Sequence, residues 1–196
     1  GSLQGHAVRG YIGMLEGDMR GAISHLKKAV SSDPGDAETV GWLGWFYLLV
    51  GKASAAVPLI ERSLQMDPVN PNWHLARGLI GFFEGHFDIA AEQLREAYRM
   101  APHMPMIQFW YALSLAYGKR FQESLSILDI GKGAVSSDDA FKKISEFLRA
   151  ALRREKDAFS RLQTPDVLRT MKRDLQLSYH AASVCSFLGQ PNDALD

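Results

Sequence analysis

The sequence predicts an all-α solenoid built from helix–turn–helix repeats, and three observations lead there. The 196-residue chain repeats in phase through several residue types, with Pro34, Pro68 and Pro102 each 34 residues apart. Two glycine columns keep the same interval, Gly10/Gly44/Gly78 and Gly17/Gly51/Gly85. Three small or aliphatic columns follow them: Ala22/Ala56/Ala90, Leu26/Ile60/Leu94 and Ala29/Ser63/Ala97, continued more weakly by Ala112, Ser124, Leu128 and Gly131.

Each column has a mechanical reason in a pair of antiparallel helices. The first glycine notches the first helix so that its partner approaches, and the second sits in the turn. The early alanine keeps the pair close. Proline closes the unit because it disfavours helix at the residue before it, so Asp33-Pro34, Asp67-Pro68 and Ala101-Pro102 read as connections. Four units result, at about 3–34, 37–68, 71–102 and 105–136. Within the second, Pro58 fits a helix only in the first turn, which predicts Ser54 as its N-cap.

Beyond Ser136 the pattern degrades, and residues 137–174 read as an irregular helical segment. Asp139 to Arg153 still forms an amphipathic helix through Phe141, Ile144, Phe147, Leu148 and Ala151, with a cap among Ser136 to Asp138. Ala158 to Leu162 reads as a shortened partner, and Thr164-Pro165 opens another helix. Residues 175–196 then resemble a unit that stops early, since Gly189, Asn192-Asp193 and Ala194-Leu195 reproduce a turn and the start of a second helix. This ending predicts a longer parent polypeptide.

The columns Leu43-Gly44, Tyr47, Gly51, Ala56, Ile60 and Pro68 resemble the tetratricopeptide repeat family, with Val40 standing where that family usually has Trp. The resemblance implies a right-handed superhelical solenoid whose first helices line a concave surface, and a protein-binding role without catalysis. It says almost nothing about the partner.

A second period of 68 lies inside the first. His6-x2-Arg9-Gly10-x-Ile12-Gly13-x2-Glu16-Gly17 recurs as His74-x2-Arg77-Gly78-x-Ile80-Gly81-x2-Glu84-Gly85. Glycine-notched first helices thus alternate with a bulky one carrying Trp42, Trp45, Phe46 and Tyr47. Packing accounts for this alternation. The sharper reading has Arg9 and Arg77 recognise an acidic group, with Glu16 and Glu84 available to neutralise them.

The second unit's first helix is apolar nearly all round. Val40, Leu43, Gly44 and Tyr47 form one stripe, and Trp42, Trp45, Phe46 and Leu49 form the opposite one. One stripe suffices for neighbouring helices, and the resemblance implies that the other points into the groove. The expected partner-binding residues are therefore Tyr11, Leu15, Trp42, Trp45, Leu49, Leu79, Phe83, Met106, Trp110, Leu113 and Tyr117, with Val8 at an equivalent position. Their chemistry suits an apolar helix or peptide more than an acidic tail. Family members that hold acidic chaperone tails use Lys and Asn on these faces, and this sequence has neither there. The alternative is a groove covered within the chain, in a regulatory or self-associating, homodimer-forming segment; the ending Leu188 to Leu195 resembles tetratricopeptide tails of bacterial multidomain signalling proteins, kinases and cyclases among them, which implies such a linkage.

Other chemistry is weakly supported. Equal totals of 22 Lys+Arg and 22 Asp+Glu lack the cationic surplus that nucleic-acid binding draws on. The six histidines show no ligand spacing, so no metal or cofactor is expected. Cys185 reads as a small core residue, and Gly131-Lys132-Gly133 as a turn rather than a phosphate loop. The most apolar stretch, Trp42 to Val50, is too short to insert into a membrane. A single cysteine permits a reducing compartment, and a cytoplasmic location is the expectation.

Overall fold

Gly17, Gly51 and Gly85 adopt φ of 80°, 72° and 79°, the left-handed conformation that ends one helix and turns the chain into the next. In the computed structural model, residues 3–130, 140–155, 157, 164, 165 and 184 are described. All regular structure among them is helical: α1 (Leu3–Leu15), α2 (Met19–Ser32), α3 (Ala37–Leu49), α4 (Ala53–Met66), α5 (Pro71–Phe83), α6 (Phe87–Met100), α7 (Pro105–Tyr117), α8 (Phe121–Ile130) and α9 (Ala140–Leu152). The chain forms two compact units, 1–100 and 101–196.

In the first unit the expected notches are present. A Cβ added at Gly10, Gly44 or Gly78 would lie within 2.9 Å of Leu26, Ile60 or Leu94 respectively, so only glycine lets the second helix of each pair seat its aliphatic side chain. Ala22, Ala56, Ala90 and those three aliphatic residues are fully buried. Asp18, Asp36 and Asn70 cap α2, α3 and α5 by accepting from the backbone N–H groups of Gly21, Glu38 and Asn72.

The connecting turns are held by side chains. His74 Nε2 lies 2.8 Å from the Pro68 carbonyl. Val40, its counterpart one repeat earlier, offers no polar atom, and Arg62 of α4 donates to the Pro34 carbonyl instead, at 2.6 Å.

Two expectations need correcting here. Helix α4 begins at Ala53 with Lys52 as its cap, so Ser54 is inside the helix and Pro58 falls in the second turn. The reason is the preceding turn. Lys52 N–H donates to the Tyr47 carbonyl at 2.8 Å, and the Lys52 carbonyl already accepts from Ala55 and Ala56, which starts the helix before Ser54. Second, Arg77 pairs not with Glu84 but with Glu61 of α4, Nε to Oε1 at 3.2 Å, while Glu84 lies 3.5 Å from His86 Nδ1.

The second unit repeats the plan with substitutions. Ala112 and Ser124 take the notch and alanine positions, and the buried Ser124 hydroxyl donates to the Ala112 carbonyl at 2.7 Å. Lys119 stands where the earlier repeats have Gly17, Gly51 and Gly85, and it adopts φ of 60°. Gln108, counterpart of His74, donates to the Pro102 carbonyl at 2.7 Å.

α9 closes with Glu155 N–H donating to Ala150 O, the same turn hydrogen bond that Arg120 N–H makes to Leu115 O after α7. Arg153 donates to both carboxylate oxygens of Asp129, at 2.7 and 3.0 Å, which ties α9 to α8. The proposed cap at Ser136 to Asp138, the shortened helix at Ala158 to Leu162, Cys185 and the incomplete final unit lie outside the described residues. Of the segment around Cys185, Val184 alone is described, and it is helical and buried.

Candidate functional site

The Trp42 ring is the hub of an aromatic cluster in the first unit. It meets Tyr11, Trp45, Phe46 and Trp73 edge to face, with centroid separations of 5.6, 6.0, 6.3 and 5.8 Å, so α1, α3 and α5 each contribute a ring. Phe46 and Trp73 are sealed and Trp45 is nearly so, whereas Trp42 remains partly accessible. A half-buried ring held by four others keeps one orientation at little entropic cost, as an interface anchor requires.

Tyr11 borders the cluster, half-buried, and donates its phenol hydrogen to Glu38 Oε1 at 3.3 Å. Burial, reinforced by the Glu38 carboxylate, pushes its pKa well above the usual phenol range, so the group stays a neutral donor.

Position by position, the expected lining separates into floor and edge. Tyr11, Trp45, Leu79 and Leu113 occupy one column of the repeat. Only Tyr11 keeps exposed surface there, since the other three are buried. Leu49, Phe83 and Tyr117 occupy another column and all remain accessible, Phe83 at 47%. Trp42 and Trp110 share a third, in which Trp110 is buried, and Met106 is half-buried. The side chain of Leu15 lies outside the described residues.

Trp45, Leu79, Trp110 and Leu113, expected as contact residues, are buried within the chain and present little surface to a partner. A helix apolar on every side, packed against neighbours along most of its circumference, leaves only a narrow edge open. Within the second unit α9 adds cover of its own, because Phe141 packs on Phe109 at 5.8 Å and Phe109 in turn meets Trp110 at 5.6 Å.

Trp73 is absent from the expected lining although its ring belongs to the cluster. It lies on bare backbone, and a Cβ on Gly41 would fall 2.5 Å from its Cη2. Gly41 belongs to neither glycine column, and an unscheduled glycine inside a bulky helix is the signal that points to it.

Elsewhere in the first unit, a cleft of about 500 Å³ between α5 and α6 is lined by His74, Arg77, Asp88 and Gln93 among others. It mixes both charge signs and lacks the rings. Among the described residues no cluster of three or more His, Cys, Asp or Glu could hold a metal ion, and no helix is long and apolar enough to cross a membrane.

Comparison with known proteins agrees with this architecture. Tetratricopeptide repeat family patterns match residues 14–80 and 75–139. The BBSome complex member BBS4 of Bos taurus is 37% identical over 85 residues, 43% of this chain and 16% of that protein. This chain thus spans about a sixth of that relative's length. The crystal structure of TTC0263, a thermophilic TPR protein of Thermus thermophilus, superposes with a TM-score of 0.74 at 16% identity, covering 93% of this chain and 98% of that one. PilF of Pseudomonas aeruginosa gives 0.66 at 17% identity, covering 93% and 82%. With its notched helix pairs, its left-handed glycine turns and both family matches, the chain belongs to the tetratricopeptide repeat family of protein-interaction scaffolds.

Proposed function

We propose that the chain binds an apolar or amphipathic helix, or an extended apolar peptide, along the open edges of its first helices. Trp42, Leu49 and Phe83 are the main contacts in the first unit, with Tyr11 beside them, and Met106 and Tyr117 serve in the second. The observation that carries this reading is the partly accessible Trp42 ring, clasped by four other rings. Truncating an anchor of this kind costs about 2 kcal/mol or more of binding, roughly thirtyfold in affinity.

Selection of a random peptide library on the purified chain tests it. The reading expects amphipathic, apolar-rich sequences whose affinity falls at least tenfold in Trp42→Ala. Acidic selected sequences, or selected peptides indifferent to Trp42→Ala, contradict it.

A second reading is favoured by the Phe141–Phe109 packing: in the second unit the face is closed by the chain itself, as suits a regulatory segment. It expects Phe141→Ala to raise peptide affinity, whereas an open face expects no gain.

A further inference from the structure

His74, Arg77 and Gln93 of the third repeat stand where the second has Val40, Leu43 and Leu59. Val40 and Leu43 are buried, so the second repeat closes this seam between its two helices with aliphatic side chains. In the third, the polar replacements line the cleft of about 500 Å³ between α5 and α6, whose walls are otherwise largely apolar. Polar groups in a seam that a neighbouring repeat seals with carbon cost stability, and such local conflicts collect at functional sites.

The first repeat also places polar residues there, but His6 and His25 satisfy each other, Nδ1 to Nδ1 at 3.0 Å. Their counterparts His74 and Gln93 do not. His74 Nε2 is turned to the Pro68 carbonyl, which holds the proton on that nitrogen and leaves Nδ1 of the neutral ring as an acceptor. Gln93 Oε1 is buried with no hydrogen-bond partner among the described residues. An amide oxygen left unpaired in an apolar wall lacks a donor, and its terminal torsion is soft enough to present it to one that enters the cleft.

The rim indicates the kind of donor. Asp88, Glu92 and Glu96 are spaced by four on α6, share one helix face and all line the cleft. Arg77, the one guanidinium in the lining, is already engaged with Glu61 of α4. The pairs Glu92–Arg95 and Glu96–Arg99, at 2.6 and 3.0 Å, are exposed, where an ion pair is worth little and a competing cation displaces it readily. The cleft thus joins unpaired acceptors and a surplus of carboxylate to apolar walls, which matches a long cationic side chain.

We propose that this cleft receives an arginine side chain of a partner protein, carried on a helical segment with arginines four residues apart. The aliphatic stem lies along Ile89 and the apolar walls, and the guanidinium donates to Gln93 Oε1 and to a carboxylate of the α6 row. A second arginine, one turn along, pairs with the rest of that row. Arginine suits the site better than lysine because its planar fork of donors reaches an amide oxygen and a carboxylate together. His74 and Phe83, nine residues apart, fall on opposite faces of α5, so the cleft is separate from the aromatic edge and either proposal can fail alone.

The probe is a fluorescein-labelled, alanine-based helical peptide with arginine at every fourth position, titrated with the full chain and read by anisotropy, beside the same peptide made with lysine. The expected result is saturable binding of the arginine peptide at about 0.15 M salt, at least threefold tighter than that of the lysine peptide. Gln93→Leu, which restores the residue type of the second repeat, weakens it at least fivefold without lowering the melting temperature. Glu92→Lys weakens it at least threefold, and as a change at an exposed site it keeps the test available should Gln93→Leu unfold. Circular dichroism melts confirm that each variant is folded. Absence of binding at millimolar chain, indifference to Gln93→Leu, or equal affinity for the two peptides, which would mean charge attraction alone, would overturn the proposal.

Discussion

The Trp73 indole lies directly on the backbone of Gly41, so close that a Cβ there would stand 2.5 Å from the ring. This contact joins α5 to α3 and sets the spacing at which Trp73 and Trp42 meet edge to face. Trp73 is 1% exposed and cannot swing into solvent without uncovering the cluster.

Gly41→Ala should therefore destabilise the first unit by about 1–3 kcal/mol, the usual range for overpacking a filled interior. Thermal unfolding followed by tryptophan fluorescence checks this. A variant with the wild-type midpoint would mean that the ring yields freely.

Lys119 carries a backbone strain that its glycine counterparts avoid, since an L side chain at φ of 60° clashes with the neighbouring carbonyl. Lys119→Gly is expected to stabilise the chain by about 1 kcal/mol, read as a higher urea midpoint at unchanged slope.

Pro58 lacks the N–H that would bond to the Ser54 carbonyl, and its ring crowds the same turn. Pro58→Ala should gain about 1–3 kcal/mol, less than the full helix-interior penalty because alanine also frees the unfolded chain. The same urea titration measures it. No gain would mean that the helix has relaxed around the proline.

The two glycine columns and the prolines are legible because each does one mechanical task at one position of every repeat, so the period exposes them. Which stripe of α3 faces outward is not legible. With Trp, Phe and Leu all round, no polar residue marks the open edge, and Trp45 reads as lining although it is buried. The Arg77–Glu61 pair escapes the sequence for a different reason. It joins two helices across repeats, and sequence spacing weighs only Glu84 on the same helix. Ser54 looks like a cap because the sequence does not reveal that Lys52 is already committed to both the turn and the helix.

His6 and His25 stack between α1 and α2 with Nδ1 atoms 3.0 Å apart, close enough to share one proton but not to carry two comfortably. Burial, then the charge of His25, with Lys28 and Arg9 adding to it, lowers the His6 pKa below its ordinary 6.5. The unfolded chain then binds more protons, so stability rises with pH in this range. The contribution is complete above about pH 6.5 and is lost as pH falls through the folded pKa. Hydrogen exchange should show α1 and α2 losing protection as pH falls below about 6.5, and His6→Leu should remove that dependence. Protection that is equal above and below that pH would contradict it.

The role of Trp42 as the anchor is tested most directly by the indole N–H resonances of the four tryptophans, assigned by single substitution, during titration with a library-selected apolar peptide. The account predicts that the Trp42 resonance moves saturably and furthest, while that of buried Trp73 shifts little. A titration in which the peptide binds while the Trp42 resonance stays still would contradict it.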